Sequence, residues 1–364
     1  MARHSNERTW KYWFKQPIIW LFGHKKSVGN FNFSAVDSIL IRPTGKALGD
    51  AVINSSCVRQ LKTMYPHARI GVLVADSNRA VFECCPQADE LVDEKTGEMW
   101  KQRGRWQVLL DMPDAFNTST LIGDKLLSPQ MTMIFYKKHK PYFNTGNIRN
   151  YDFHCPPPES ACIAEFLQCS EFAKHFAITP EAPCLNIPDS AKMQAQQYWQ
   201  NGKIRLLLCP QGSQRQLPEQ ELADLLNGIP ADLCSRIDFM LGNTAGSGAY
   251  LNKLQSLCNK NIIIRLAPAL TLSGYIALVG SCDIVVGVDS GSIHVGCATA
   301  KPVLGFYANH KGNLNRWRLM PQPGIPYLMV VSRRKCASAN DTFDFPLEEA
   351  VIWLNKQIRK CNNC

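Results

Sequence analysis

The sequence predicts an α/β protein of two domains, each a mainly parallel sheet covered by helices, and three observations carry that expectation. From residue 37 onward, short apolar runs bounded by turn residues alternate with segments of helical spacing. The alternation breaks at a proline-rich stretch and then starts afresh. At 364 residues the chain is too long for one ordinary core and fits two. Parallel neighbours need long, usually helical connections, so strand-helix alternation argues parallel sheets. Two such domains imply a cleft between them.

The first strand is Asp37-Ser-Ile-Leu-Ile-Arg42, apolar throughout as a strand buried on both faces must be. Gly45-Lys-Ala-Leu-Gly-Asp50 forms the next loop, and Val52, Cys57, Val58 and Leu61 carry a helix to about Met64. Arg69 to Val74 is the second strand, Ser77 to Cys85 a helix, and 90–93, 108–112 and 131–136 are further strands. Glu159 to Phe176 reads as a long amphipathic helix. Ile178 to Pro183, with Pro188 soon after, makes a linker.

The second series begins with the strand Ile204 to Cys209. Helices are expected at 218–226, 248–258, 270–279 and 294–299, and strands at 237–241, 262–266, 282–287 and 302–306. Phe345 to Ile358 is a closing helix. The resulting division is a basic aromatic extension (1–34), a first domain (35–185), a second domain (186–344), and a terminal helix and tail (345–364).

Composition narrows the function. Hydrophobic residues make up 45% and charged residues 19% of the chain, and no apolar run approaches the roughly 20 residues of a membrane span. The fifteen cysteines are scattered singly, as reduced core residues would be, rather than spaced as a disulfide framework. The net charge is +10, and Arg3, Arg8, Lys11, Lys15, Lys25 and Lys26 stand against the single acid Glu7 at the start of the chain. Trp10, Tyr12, Trp13, Phe14, Ile18, Ile19, Trp20, Leu21 and Phe22 lie among them. That mixture suits the boundary of an anionic membrane, or else a helix docked on the protein's own surface. Lys15 and Pro17 interrupt the apolar run, so no signal peptide is expected. A nucleic-acid partner is not expected either, because the basic charge gathers at one terminus instead of along a groove.

Ligands of open α/β sheets sit beyond the carboxyl ends of the strands, and three loops there carry chemistry. In Val288-Asp-Ser-Gly-Ser-Ile-His-Val295 a strand delivers an acid, a hydroxyl and a glycine just before a helix of small residues. Backbone amides at such a helix start hold a diphosphate without a metal; Gly291 permits close approach, Asp289 accepts from sugar hydroxyls and His294 donates to phosphate. The plainer alternative is that Asp289 and Ser290 only cap the helix. In Pro210-Gln-Gly-Ser-Gln-Arg-Gln-Leu-Pro218, Ser213 and Arg215 supply a hydroxyl and a permanently charged fork for phosphate, unless the arginine is merely solvated. The third loop presents Asp50 as a general base, with an ordinary helix-start aspartate as the alternative. It is not a Walker loop, because Leu40 and Ala47 stand where that motif needs glycine and Ser or Thr. Cys361-Asn-Asn-Cys364, with Cys336, supplies too few ligands for a structural zinc, so no metal is expected.

With these loops in order, the sequence resembles the ADP-heptose:lipopolysaccharide heptosyltransferases, family nine of the glycosyltransferases, over roughly residues 37–355. The anchors are Leu48-Gly49-Asp50, Tyr65-Pro66, Pro210 to Ser213 with Leu217-Pro218, and Asp289 to His294. The resemblance implies the GT-B arrangement, two Rossmann-like domains facing each other across a cleft, and a cytoplasmic enzyme that needs no cofactor. It further implies an ADP-heptose donor bound by the C-terminal domain, a lipopolysaccharide core acceptor met by the N-terminal one, and metal-free inversion. Carried over, Asp50 is the base, and Ser213, Arg215, Asp289, Ser290, Gly291, Ser292 and His294 hold the donor. Lys46, Lys137 and Lys138 lie on the acceptor side, where with Lys140 they would attract an anionic core. Ser290 replaces the commoner threonine. Gly242 to Gly248 lacks the acid that members usually carry near the adenosine, which keeps another donor sugar or acceptor in view. A catalytically silent nucleotide-sugar-binding protein is the remaining alternative, and Asp50 argues against it.

Overall fold

The central apolar runs after residue 37 become strands buried along their whole length. The computed structural model describes residues 13–361, and these fall into two compact units that meet between Glu181 and Ala182.

In the first unit, β1 (Ser38–Arg42), β2 (Arg69–Val74), β3 (Glu90–Asp93), β4 (Val108–Asp111), β5 (Met131–Ile134) and the two-residue β6 (Phe153–His154) form one sheet in the order β3-β2-β1-β4-β5-β6. Every pairing is parallel. β1 is central and wholly buried, with Leu40 opposite Gly71 on one side and Leu109 on the other. Its crossover is α2 (Leu48–Met64); shorter helices α3 (Arg79–Glu83), α4 (Thr96–Lys101) and α5 (Thr118–Leu127) serve the outer strands. Gly71 is required by packing: a Cβ there would lie 2.3 Å from the buried Trp106 ring.

The described part of the N-terminal extension begins with a helix, α1 (residues 13–22). Ile18, Ile19 and Phe22 join Phe116, Leu121, Ile134, Phe143 and Ile148 in a cluster of the first unit. Trp13, Phe14, Trp20 and Leu21 remain exposed. α1 is thus docked on its own protein by one face and shows aromatic side chains on another. Arg3, Arg8, Trp10, Lys11 and Tyr12 lie outside the described residues.

The second unit repeats the winding. After α6 (Asp189–Gln196), strands β7 (Ile204–Cys209), β8 (Ile237–Leu241), β9 (Ile264–Leu266), β10 (Ile284–Val288), β11 (Val303–Asn309) and β12 (Tyr327–Lys335) are ordered β12-β11-β10-β7-β8-β9, again all parallel. Between them run α7 (Glu219–Asn227), the short α8 (Ala231–Cys234), α9 (Ser247–Leu257), α10 (Leu272–Ser281), α11 (Gly291–Ala298) and α12 (Lys311–Arg316). The closing helix α13 (Leu347–Cys361) buries Ala350, Leu354 and Ile358, spaced four apart as a single helical stripe, in the same core as Leu222 and Leu226 of α7.

The helix expected over 159–176 is not formed. Residues 163–165, 167–169 and 171–174 are instead three short 3₁₀ turns. Ala161, Cys162, Ile163, Ala164, Phe166, Leu167 and Phe172 are all buried, a nearly continuous run that one face of a surface helix cannot hide. α4, α5, α6, α8, α12, β6 and the edge strand β12 were not expected. None of the fourteen described cysteines forms a disulfide; most are buried, and burial pushes the thiols of Cys57, Cys155, Cys258 and Cys297 up to about 12, 11, 11 and 12. Among the described residues no helix is long and apolar enough to cross a membrane.

Candidate active site

In both sheets the chain winds one way from the first strand and the other way from the fourth. The carboxyl edge between those two strands is therefore open, the place where such sheets bind ligands. In the second unit these strands are β7 and β10, with Cys209 opposite Gly287, and they deliver the 210–217 and 289–290 loops side by side. The approach is tight. A Cβ on Gly287 would lie 2.6 Å from the Cys209 carbonyl oxygen, and one on Gly212 3.2 Å from the Ser290 Cβ.

The 210–217 loop is a small hairpin, closed by Gly212 N–H to the Arg215 carbonyl (2.8 Å) and Leu217 N–H to the Pro210 carbonyl (2.8 Å), with Ser213 exposed at its tip. Arg215 is held on every side of its fork. Nε donates to the Ala339 carbonyl (2.8 Å), Nη1 to the Asp289 carbonyl (3.2 Å) and Nη2 to Asn313 Oδ1 (3.2 Å), and Nη1 lies 3.3 Å from Asp289 Oδ2. A guanidinium fixed this way is pre-aimed, so little entropy is lost when it meets an oxyanion.

Asp289 is only 2% exposed. Its carboxylate accepts from Asn313 Nδ2, pairs with Arg215 and faces His294 Nε2 at 3.7 Å. The Asp289 carboxylate thus holds Arg215 and Asn313 together, and the buried His294 ring lies behind the loop, facing Asp289. Ser292 is likewise tied back, its Oγ 2.7 Å from the Tyr275 hydroxyl.

The capping alternative for Ser290 can be read from the hydrogen bonds. Ser290 is the residue before α11, in extended backbone, yet its side chain makes no capping bond and its buried Oγ has no partner. Asn117 and Thr271, by contrast, cap α5 and α10 through their side chains. Among the described residues the start of α11 thus has no side-chain cap from Ser290, and its first-turn amides and positive end lie next to the Asp289 carbonyl that Arg215 bonds.

In the first unit the open edge lies between β1 and β4. Asp50 sits in the first turn of α2, and its Oδ2 accepts from the Ala47 amide at 3.3 Å, so a helix-start contact coexists with its place at the strand's carboxyl edge. Two residues shape that loop. Asn54 accepts from the Thr44 amide (3.3 Å) and donates to the Asp50 carbonyl (2.6 Å), and Gly45 lies so close that a Cβ would stand 1.8 Å from Asp50 Oδ2. Gly45→Ala should therefore turn the Asp50 carboxylate aside without removing it. The expected result is a fall of about tenfold or more in turnover at nearly unchanged melting temperature, as a misplacement of about 1 Å produces; measuring both on one preparation checks it.

Behind this edge is a buried charge cluster. Arg42 Nη1 bonds Asp111 Oδ1 (2.6 Å) and Asp124 Oδ1 (2.7 Å), and Lys137 Nζ bonds Asp111 Oδ2 (2.7 Å). Lys137 also donates to the Pro113 carbonyl (2.5 Å), and its side chain has no exposed surface. Lys138 and Lys46 remain largely exposed, paired with Asp114 (2.6 Å) and Glu94 (2.5 Å). Burial opposes the Arg42 charge, but Asp124 and Asp111 overcome it and hold it charged. For Asp111 the two cations outweigh burial and keep the carboxyl below its ordinary range. For Asp124, burial wins over Arg42, with Asp111 adding repulsion, and the carboxyl is pushed up to about 6.

A folded pKa above the roughly 3.9 of an unfolded aspartate means that protonation favours the fold. Asp124's stabilising contribution is thus full below about pH 4 and is lost as pH rises through about 6. Relative to Asp124→Asn, the wild type should lose stability across that window; urea midpoints at pH 4 and pH 7 that keep a constant difference would contradict this.

Comparison with known proteins now bears on these loops. The family model for glycosyltransferase family 9 (heptosyltransferase) matches residues 102–342, more than half of the chain. The chain belongs to glycosyltransferase family 9. Among curated proteins compared by sequence, none matches. Three solved structures are similar to this family 9 glycosyltransferase. E. coli ADP-heptose lps heptosyltransferase II is 17% identical at a TM-score of 0.67, covering 90% of this chain and 99% of its own. A family 9 glycosyl transferase from Veillonella parvula is 13% identical at 0.66, covering 89% and 97%. E. coli heptosyltransferase WaaC with ADP is 13% identical at 0.60, covering 88% and 99%. The fold of this family 9 enzyme is accordingly of the GT-B type, two Rossmann-like units.

Sequence reading named both of these loops of the second unit in this glycosyltransferase, and the Gly45 loop of the first, but missed Asn313, Tyr275 and Asn54. Asn313 is reachable in hindsight: α12 also follows the carboxyl end of a strand, β11, and inspecting every such end would have included it. Tyr275 carries no such signal, since it points in from the middle of α10. Among the described residues no group of three or more His, Cys, Asp or Glu is placed to hold a metal ion, and Cys364 lies outside them.

Proposed function

We propose that this glycosyltransferase moves heptose from ADP-L-glycero-β-D-manno-heptose to the inner core of lipopolysaccharide, with inversion and without a metal, at the cytoplasmic face of the inner membrane. The observation that carries the reading is the uncapped start of α11 beside the four-way-held Arg215. A leaving diphosphate develops negative charge, and fixed amides and a guanidinium stabilise it with no reorganisation at the moment of reaction. Asp50 takes the proton of the acceptor hydroxyl as its oxygen attacks the anomeric carbon. The bond from that carbon to the β-phosphate oxygen breaks, and ADP leaves with the electron pair. The relatives named for ADP-heptose and ADP support the donor, and the exposed aromatic side chains of α1 support peripheral attachment.

A second donor is favoured by one observation. The 242–248 loop holds no acid, and its Ser247 and Thr244 hydroxyls are turned to Gln211 Oε1 (2.8 and 3.3 Å). The test is nucleotide release from ADP-heptose, UDP-sugars and GDP-sugars in metal-free buffer with heptose-deficient lipopolysaccharide. Acceptor-dependent ADP release alone supports the proposal; release only from another nucleotide replaces the donor, and no turnover with folded protein returns the silent-binder reading.

A further inference from the structure

At the amino edge of the first sheet, away from Asp50, lies a cavity of about 270 Å³ between the end of α1 and the turn from α5 into β5. Lys26, Arg103 and Lys125 line it, and so does Phe22 at the end of α1. Lys26 and Lys125 make no ion pair among the described residues, and the one carboxylate in the wall, Asp124, is turned to Arg42 and to Asn150 Nδ2 (2.7 Å). Lys25 is spoken for, bonded to Asp152 and to the Gln130 carbonyl (2.9 Å), and so pins the chain after α1 to this edge. Two further wall residues are nearly inaccessible and incomplete. Thr132 (1% exposed) and Asn150 (4%) each bury a side-chain oxygen, Oγ1 and Oδ1, that has no hydrogen-bond partner. Orphaned buried polar atoms are rare, and a wall that holds two of them beside unpaired cations asks for a ligand.

The chemistry of the wall selects that ligand. Lysine and arginine heads want a phosphate, whereas Asn150 Oδ1 can only accept, so the ligand must also carry a donor, and among Lys26, Arg103 and Lys125 an uncharged hydroxyl is favoured over an ammonium. The position selects its source. Lys15 bonds Thr118 Oγ1 (2.8 Å) at the first turn of α5 and Lys25 reaches Gln130 beyond its last, so α1 runs alongside α5 and ends at the cavity. The helix that walls the cavity is the one that shows Trp13, Phe14, Trp20 and Leu21 to its surroundings. Aromatic and aliphatic side chains followed by lysines are the composition of a helix lying in a bilayer interface.

We propose that this cavity binds the phosphate and hydroxyls of a glycerol-phosphate lipid headgroup, while the exposed side chains of α1 enter the leaflet. The inference rests on the peripheral attachment proposed above and adds a lipid selectivity that charge alone does not give.

Partition of the full chain onto vesicles tests it, with neutral phosphatidylcholine alone or mixed with equal amounts of phosphatidylglycerol or phosphatidylserine. Phosphatidylglycerol should bind several-fold more tightly than phosphatidylserine at equal charge. Lys125→Gln should weaken that binding about fivefold, the factor expected of one basic side chain at an anionic surface. Thr132→Val, which removes a hydroxyl that bonds nothing and so spares the fold, should erase the preference and leave the charge-dependent part. Trp20→Ser with Leu21→Ser should abolish partition onto all vesicles yet leave binding of soluble glycerol 1-phosphate, followed by calorimetry. Equal affinity for the two anionic lipids, indifference to Lys125→Gln and Thr132→Val, or no vesicle binding at all would each overturn the proposal. Failure of the transferase reading shows elsewhere, as absent ADP release with a deacylated soluble acceptor, an assay in which Lys125→Gln and Thr132→Val should behave as wild type.

Discussion

Asp50→Asn should lower acceptor-dependent ADP release by roughly 10²- to 10⁴-fold, the range a positioned general base contributes. Asparagine is the informative replacement. Asp50 accepts from the Ala47 amide at the start of α2, and an asparagine oxygen keeps that bond while losing the ability to take a proton. The melting temperature should therefore move little, whereas Asp50→Ala gives up the helix contact as well, at a cost of about 1 kcal/mol. Equal activity in Asp50→Asn and wild type, with both folded, would remove Asp50 from the chemistry and leave it a helix-start residue. The KM for donor should stay near the wild-type value, because the donor-binding groups proposed here all lie in the second unit.

The second large effect is expected at Arg215. Its loss should reduce turnover roughly 10²- to 10³-fold, as removal of one fixed donor to a developing oxyanion does, and raise the donor KM. Lysine should not rescue it. The guanidinium makes separate bonds from Nε, Nη1 and Nη2 to Ala339, Asp289 and Asn313, and a single ammonium can keep only part of that set. Arg215→Ala also leaves the Asp289 carboxylate without its cation. Asn313 still donates to it, so the stability loss should fall below the about 3–5 kcal/mol of a buried charge left wholly unpaired. Circular dichroism and steady-state kinetics on Arg215→Ala and Arg215→Lys check both parts; a lysine variant at wild-type rate would mean that bare charge suffices.

The sheets were legible because parallel strands buried on both faces must be apolar runs, as Ser38–Arg42 and Ile204–Cys209 are. β12 was not, because it is an edge strand whose last three residues, Arg333, Arg334 and Lys335, are exposed and charged. The 159–176 segment misled for the opposite reason: its apolar positions fit a helical stripe, but too many of their neighbours are buried as well. In the site, loops at strand ends could be found by rule, since the carboxyl edge is fixed by the winding. The partners that give those loops their chemistry could not. Arg215 meets Asn313 across 98 residues, and Arg42 meets Asp111 and Asp124 across 69 and 82, separations that no local pattern encodes. The burial of Lys137 was hidden on the same account, since a lysine-rich turn gives no sign of which ammonium is turned inward.

The cysteines sunk in both cores give this enzyme a built-in record of its own opening. Cys57 and Cys162 sit deep in the first unit, Cys209, Cys282 and Cys297 deep in the second, each at 3% exposure or less. A thiol reagent can reach such a sulfur only when the packing around it opens, so the rate at which each cysteine is alkylated in the native protein is a clock on that event. Read by mass spectrometry peptide by peptide, the two sets would show whether the two cores open together or one yields first, with no mutation or ligand added to the chain.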